Sequence, residues 1–396
     1  MLGLIDIILT SINNITILSM SIGKLIQQPG GYKAFIPEKF PPDKKIIINT
    51  KTQQLHARAV LMLGKLDGIT QLLPDLDFFI LMYIRKEAAR SSEIEGTKAT
   101  IIDVIKKESK LEHKFPQDVE RITHYIQAME YGLERLKTLP LSLRFIREIH
   151  KILLADTADA PGKTPGQFRQ SQNWIGGGSV STATFIPPPP SDLYRCLDDL
   201  EKFLYSENDY TPLIKAALVH AQFETIHPFL DGNGRTGRLL TTFYLCKLGM
   251  LERPVLYLSD YFLKNRIQYY NSLSGYHGEK SEIDSWLDFF LDGVAIIAEE
   301  AINISKKINA LRISDLIKIQ TLGKRAKKAI LVLEKLYNLP IVTVKNIEQW
   351  TGLSRPQANE LTKKMVELKI LKQIDKKIEY GRQFWYKNYI DLFISK

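Results

Sequence analysis

Residues 227–238 read HPFLDGNGRTGR, and the run before them limits what such a loop can belong to. Leu213, Ile214, Ala217, Leu218 and Ala221 recur at three- and four-residue steps, the spacing of one helical face. A formal match to G-x-G-x-x-G therefore lacks the preceding strand that a dinucleotide fingerprint needs. No G-x-x-x-x-G-K-[ST] loop occurs either. What remains is helix, glycine-rich loop, helix, and the second helix opens with Arg235 and Arg238. A cation is disfavoured at that end, where the macrodipole already places positive charge. An anion resolves the conflict. The glycines let backbone N–H groups converge with the orphan donors of the helix start, which cradles phosphate. Two guanidinium groups on one face then reach successive phosphates of one chain.

Two residues upstream carry a choice each. Asp231 either caps the second helix or holds a hard divalent cation, Mg²⁺, which binds through one or two carboxylates plus phosphate oxygens. His227 is either a core histidine or, at the lip of a phosphate site, a base that takes a proton from an attacking hydroxyl.

With 396 residues the chain has room for two or three domains. A net charge of +10 and a pI near 9.2 favour anionic partners: nucleotide, nucleic acid or an acidic protein surface. Cys196 and Cys246 have no CxxC neighbour, so the expectation is two buried thiols in a reducing, cytoplasmic setting. The N-terminal run MLGLIDIILTSINNITILSM has no basic leader and is broken by Asp6 and Asn13-Asn14. Neither a membrane helix nor a signal peptide is expected. Residues 1–19 read as a leader or non-native extension, with Met20 as a candidate start.

The Pro-rich stretch PGGYKAFIPEKFPP reads as extended, and helical spacing dominates thereafter. LDFFILMYIRKEAARSSEIEGT reads as one helix after Pro74, stopped by Gly96, within an N-terminal helical region over 20–137. A catalytic core is expected over 138–300, broken at TPGQFRQSQNWIGGGSVSTATFIPPPP by a hairpin-like excursion. A linker helix over 301–328 leads to a module at 329–396. There a helix, a turn at Thr351-Gly352-Leu353 and a second helix capped by Ser354 precede two short alternating strands. The fold class is mainly α, with a small β-hairpin flap and a C-terminal winged helix.

HPFLDGNGRTGR resembles the signature of the Fic family, H-x-F-x-[D/E]-G-N-G-R-x-x-R, with no departures. The resemblance implies transfer of AMP from ATP to a Ser, Thr or Tyr hydroxyl of a protein, with Mg²⁺. It implies that His227 deprotonates the hydroxyl and Asp231 binds the metal. Gly232, Asn233 and Gly234 would form the anion hole, with Arg235, Thr236, Gly237 and Arg238 completing the nucleotide-binding run and Phe229 orienting the loop. The hairpin ending TATFIPPPP matches the family's flap, which would place Thr184 and Phe185 beside an extended segment of the target. QYYNSL resembles the segment flanking adenine, so Tyr269 and Tyr270 are nucleotide candidates, with core aromatics as the alternative.

Glu95 poses the mirror image of the arginine problem, a carboxylate at the negative end of a helix. Ser91-x-x-x-Glu95-Gly96 matches the family's inhibitory motif [S/T]-x-x-x-E-[G/N]. The resemblance implies that Glu95 pairs with Arg238 and blocks the γ-phosphate's anchor, giving a self-inhibited enzyme with an N-terminal inhibitory helix. From Ile341 onward eleven Lys or Arg face six Asp or Glu. The module could thus set Arg355, Gln357 and Asn359 against DNA, or serve protein contact or a homodimer. The alternatives are a DNA-binding regulator with a nucleotide-sensing core, and removal of AMP or transfer of another phosphate ester.

Overall fold

A computed structural model of the chain describes residues 21–42, 46, 48–70, 76–109, 115–116, 118–155, 163–207, 209–251, 254–278 and 280–394. The leader expected over 1–19, Met20 and Pro74 lie outside these residues.

One helix sets the architecture. In α7 (Pro212–Ile226) every residue from Leu213 to Ile226 is buried, the polar Lys215, His220, Gln222, Glu224 and Thr225 included. α8 (Asn233–Lys247) packs against it through the glycine loop. Around this pair stand α4 (Asp118–Arg135), α5 (Leu143–Leu153), α6 (Pro190–Tyr205) and α10 (Arg266–Tyr276). The short α3 (Ile101–Glu108) and α9 (Ser259–Lys264) close gaps between them. Trp286, fully buried on the long α11 (Ile283–Gln320), donates Nε1–H to the Ala217 carbonyl at 2.9 Å and so ties α11 to α7. α1 (Thr50–Thr70) runs along α11.

The helix expected to carry Glu95 is α2 (Leu76–Ile94), ended by Gly96 at a φ of 93°. Its buried Glu87 accepts from the Tyr125 hydroxyl at 3.0 Å and the Ser259 amide at 3.2 Å, which seats α2 between α4 and α9.

Three features differ from the sequence reading. The Pro-rich stretch near the N-terminus forms an antiparallel hairpin, β1 (Gly23–Gln27) with β2 (Lys33–Pro37). The flap is a loop closed by one bridge, Ile175 to Phe185, around a 3₁₀ turn at Val180–Thr182. Residues 301–320 continue α11 as one 38-residue helix, because neither Gly nor Pro interrupts the sequence from Val294 to Leu322 and Lys306-Lys307 suit a helix as well as Leu does.

The C-terminal unit comprises α12 (Ala326–Asn338), β3 (Ile341–Thr343), α13 (Val344–Thr351), α14 (Arg355–Glu367), β4 (Lys372–Gln373), β5 (Gln383–Trp385) and α15 (Lys387–Ile394). Its strands pair antiparallel in the order β3-β5-β4. Gly352 at a φ of 65° makes the turn between α13 and α14, and Ser354 forms a capping box with Gln357.

Candidate active site

α7 ends at His227, whose φ of 48° lies in the left-handed region, uncommon for a residue with a Cβ. Two side chains from the segment before the flap hold that turn. Arg169 Nε and Asn173 Nδ2 both donate to the His227 carbonyl, at 3.0 and 3.1 Å. Arg169 Nη2 also donates to the Ile226 carbonyl at 3.3 Å. A guanidinium bonded to the last carbonyls of a helix complements its negative end. Burial pulls the Arg169 pKa down to about 10.

A carbonyl can only accept, so the 3.3 Å contact from His227 Nδ1 to the Glu224 carbonyl puts the proton on Nδ1 and leaves Nε2 as an acceptor. Burial pushes the imidazole down to about 4, which keeps it neutral at physiological pH.

The loop that follows is stapled from both sides. Asn233 accepts from the Phe229 amide and donates to its carbonyl, both at 2.8 Å. On α5, His150 Nδ1 accepts from the Gly166 amide at 2.8 Å, so its Nε2 carries the proton and donates to the Asp231 carbonyl at 2.9 Å. The His150 ring stacks on Phe229 at 3.6 Å and 4°. Phe229 therefore orients the loop by packing. Gly232, with a φ of 76°, is the N-cap of α8. Asp231 accepts from the adjacent Gly232 amide at 2.7 Å and does not cap the helix. Its Oδ2 stands 3.6 Å from Lys163 Nζ.

The first bond of α8 runs from the Thr236 amide to the Gly232 carbonyl at 3.0 Å. The N–H groups of Asn233, Gly234 and Arg235 precede it and lack intrahelical acceptors. Arg235 is 4% exposed, and its Nε and Nη1 have no hydrogen-bond partner among the described residues. Leaving a charged donor buried and unmatched is expensive. Burial lowers its pKa, while the charges of Asp231 and Glu95 oppose that effect.

Arg238 is engaged. Nε donates to Ser91 Oγ at 2.8 Å, and Nη2 donates to the Ser91 carbonyl at 3.0 Å and to Glu95 Oε1 at 2.7 Å. The Glu95 carboxylate lies over Gly234, where a Cβ would collide with Oε1. Burial alone would raise the Glu95 pKa; Arg238 overcomes this and holds it below the usual carboxylate value. In return Glu95 drives the Arg238 pKa upward against burial. The carboxylate thus lies over the first turn of α8, the seat where an anion is expected, and two residues with unfavourable helix-end charges neutralise each other.

Several candidate residues lie elsewhere. Tyr269 is 1% exposed, its hydroxyl 2.9 Å from His220 Nε2 and its ring stacked on Phe262 at 4.5 Å; it packs as a core aromatic. Tyr270 is 41% exposed, with the Arg266 guanidinium 5.7 Å from its ring centroid. The Thr236 hydroxyl turns back to the Gly232 carbonyl at 2.8 Å, and Gly237 faces Phe223 and Glu224 of α7. In the flap Thr184 is exposed, whereas Phe185 is part-buried and stacks on His277 at 3.7 Å. In the C-terminal unit, the three side chains considered for DNA already have partners. Arg355 pairs with Glu348 at 3.5 Å, Gln357 accepts from the Ser354 amide at 3.2 Å, and Asn359 accepts from Arg382 at 3.0 Å.

Among the described residues no group of three or more His, Cys, Asp or Glu could hold a metal, and no helix is long and apolar enough to cross a membrane. The hard oxygens of Asp231 suit a cation whose other ligands are phosphate oxygens and water. Sequence reasoning missed Arg169, Asn173, His150, Lys163 and Glu224. All but Glu224, which precedes His227 by three residues, come from other segments, and the local signal at Arg169 and Asn173 is only a pair of polar residues in an aromatic stretch.

Comparison with known proteins agrees with this geometry. The profile described as Fic/DOC family matches residues 140–245, and that described as Fic/DOC family N-terminal matches residues 53–134. The protein adenylyltransferase Fic of Drosophila grimshawi is 36% identical over 149 residues, 37% of this chain and 28% of that protein. The Drosophila melanogaster protein of the same name is 36% identical over 125 residues, 31% of this chain and 23% of that protein. The matched segment thus spans less than a third of those relatives' length. In fold the chain resembles a Fic family protein from Desulfovibrio desulfuricans G20, with a TM-score of 0.56 and 19% identity over 87% of this chain and 98% of that one. It also resembles a Fic domain containing signaling protein from Bacteroides thetaiotaomicron VPI-5482, with a TM-score of 0.51 and 21% identity over 65% of this chain and 97% of that one. The glycine loop, α7 and α8 up to Leu245 fall inside the first profile match and α2 falls inside the second, so residues 53–134 and 140–245 match the two Fic/DOC family domains.

Proposed function

We propose that the chain transfers AMP from ATP to a Ser, Thr or Tyr hydroxyl of a target protein, or of itself, and that Glu95 restrains it. The observation that carries this reading is the Glu95 carboxylate over Gly234, bonded to Arg238. An anion seat occupied by the chain's own carboxylate implies a competing anion of the same kind. The unmatched donors of Arg235 add room for a second negative group, as a polyphosphate supplies. The curated relatives named protein adenylyltransferase make ATP the polyphosphate to test.

In the proposed reaction His227 Nε2 takes the proton of the target hydroxyl. The oxygen forms a bond to the α-phosphorus as the bond to pyrophosphate breaks. The amides of Gly234 and Arg235 with the Arg235 guanidinium stabilise charge on the phosphates, and Arg238 anchors the γ-phosphate once Glu95 has left. Asp231 is the residue to hold Mg²⁺, which supplies charge neutralisation on the leaving group. Thr184 and Phe185 would align the target backbone beside His227. Tyr270 would border the adenine.

The test is transfer of label from α-phosphate-labelled ATP with Mg²⁺. Glu95→Gly raises labelling of the chain or of a lysate protein above wild type. Adding His227→Ala to that variant lowers the rate on the order of 10²–10⁴-fold. A Glu95→Gly protein that transfers no AMP and takes up no Mg²⁺-supported ATP would sink the reading.

A further inference from the structure

One buried carboxylate beside the site has no role in the reaction above. Glu224 lies on the last turn of α7, 9% exposed. Its Oε2 stands 3.9 Å from His227 Nδ1, the nitrogen that also donates to its own carbonyl. Its Oε1 has no hydrogen-bond partner among the described residues. α8 comes this close only because residue 237 is glycine: a Cβ there would collide with Oε1 and press on Phe223 Cδ1 at 3.1 Å. An unmatched oxygen in this position is costly, and it makes neither a helix cap nor an ion pair with Arg238, which is taken by Glu95. What the placement provides is a negative group on the Nδ1 side of the imidazole.

We propose that Glu224 is a positioning residue for His227, its carboxylate stabilising the imidazolium formed when His227 takes the hydroxyl proton. The inference rests on the base role given to His227 above. In that step the hydroxyl proton moves to Nε2, the oxygen's electron pair forms the bond to phosphorus, and pyrophosphate leaves with its bonding pair. The imidazole becomes a cation in a buried setting that opposes it, and a facing carboxylate offsets that cost, the logic of the carboxylate in hydrolase triads.

The charged and titratable groups facing Glu224 are His227 on the loop, Arg238 on α8, Glu95 after α2 and Tyr269 on α10. Burial raises its carboxyl to about 7, Arg238 opposes the rise and Glu95 adds to it. The carboxylate form, which the step needs, therefore accumulates as pH rises through neutrality.

Glu224→Gln and Glu224→Asp, each made with Glu95→Gly, test this. The Gln variant loses on the order of 10²-fold in kcat, keeps the KM for ATP within about twofold, and loses a rising limb near pH 7 that the Glu95→Gly parent shows. The Asp variant recovers part of both. A Gln variant with the parent's kcat and the same limb overturns the proposal. A second measurement needs no turnover: the ring nitrogens of ¹⁵N-histidine, assigned to His227 by loss in His227→Ala, are followed by NMR against pH. The parent shows an inflection near 7 that Glu224→Gln removes; identical curves overturn the proposal. If the parent transfers nothing, the proposed function fails while the NMR curves still decide the role of Glu224.

Discussion

Glu95 and Arg238 show how an unfavourable local charge becomes informative at a distance. Each stands at the wrong end of its helix, and the two meet at 2.7 Å. Because Arg238 holds the Glu95 carboxyl below its usual value, the pair's stabilisation is complete above the unfolded carboxyl's pKa of about 4.3 and fades as pH falls through the lowered folded value. With the Glu95 side chain 38% exposed, solvent screening limits the contribution to roughly 1 kcal/mol. Denaturant titration of wild type and Glu95→Gln should show a difference constant from about pH 5 to 8 that shrinks below about pH 4. The pairing was legible in sequence because both partners lie in short contiguous motifs. Arg169, Asn173 and His150 were not, because each acts on backbone atoms contributed by a different segment. Tyr269 stayed open between nucleotide wall and core because one helical spacing serves both, and its burial and hydrogen bond to His220 favour the core.

Among the elements, the helices on either side of the loop were the most readable. Apolar spacing marked α7, and the loop glycines marked its end. The β1–β2 hairpin was present as a turn signal, Pro29-Gly30-Gly31, with Gly31 at a φ of 81°, but the surrounding prolines read as extended chain. The flap was read as a hairpin, yet Gly176 and Gly177 adopt positive φ and the strand pairing stops at one bridge. Close helix packing is equally invisible to periodicity. Gly132 on α4 lets the Phe243 ring of α8 lie where a Cβ would be, and Phe243 is 1% exposed. Gly132→Ala should therefore overpack this contact by about 1–3 kcal/mol, lowering the midpoint of thermal unfolding more than the same change at Gly64, where nothing lies within 4 Å of an added Cβ.

Over the whole molecule, α2 connects the C-terminal unit to the anion seat. The Tyr83 ring meets Phe393 edge-on at 5.4 Å. Arg85 donates to the Asn338 carbonyl at 3.0 Å and pairs with Glu108, and Ser109 donates to the Ile341 carbonyl at 3.0 Å. One unbroken helix carries this grip to Ser91 and Glu95. Phe393→Ala removes a ring 2% exposed, at a cost of about 3–5 kcal/mol, and loosens α2. Basal transfer should rise in the chain that retains Glu95 and stay unchanged in the Glu95→Gly background, as labelling assays on the two pairs would read. An equal rise in both would disconnect the grip from the site.

The carboxylate over Gly234 is tethered, and this decides how the chain answers to its surroundings. A competitor built into the polypeptide cannot be diluted away or outlasted, so its effective concentration stays the same in every compartment and at every expression level. If Glu95 restrains transfer as proposed, nucleotide must meet a fixed threshold, and its apparent affinity scales with the fraction of molecules whose helix has let go. Under that proposal the chain would meter helix release rather than the abundance of its fuel.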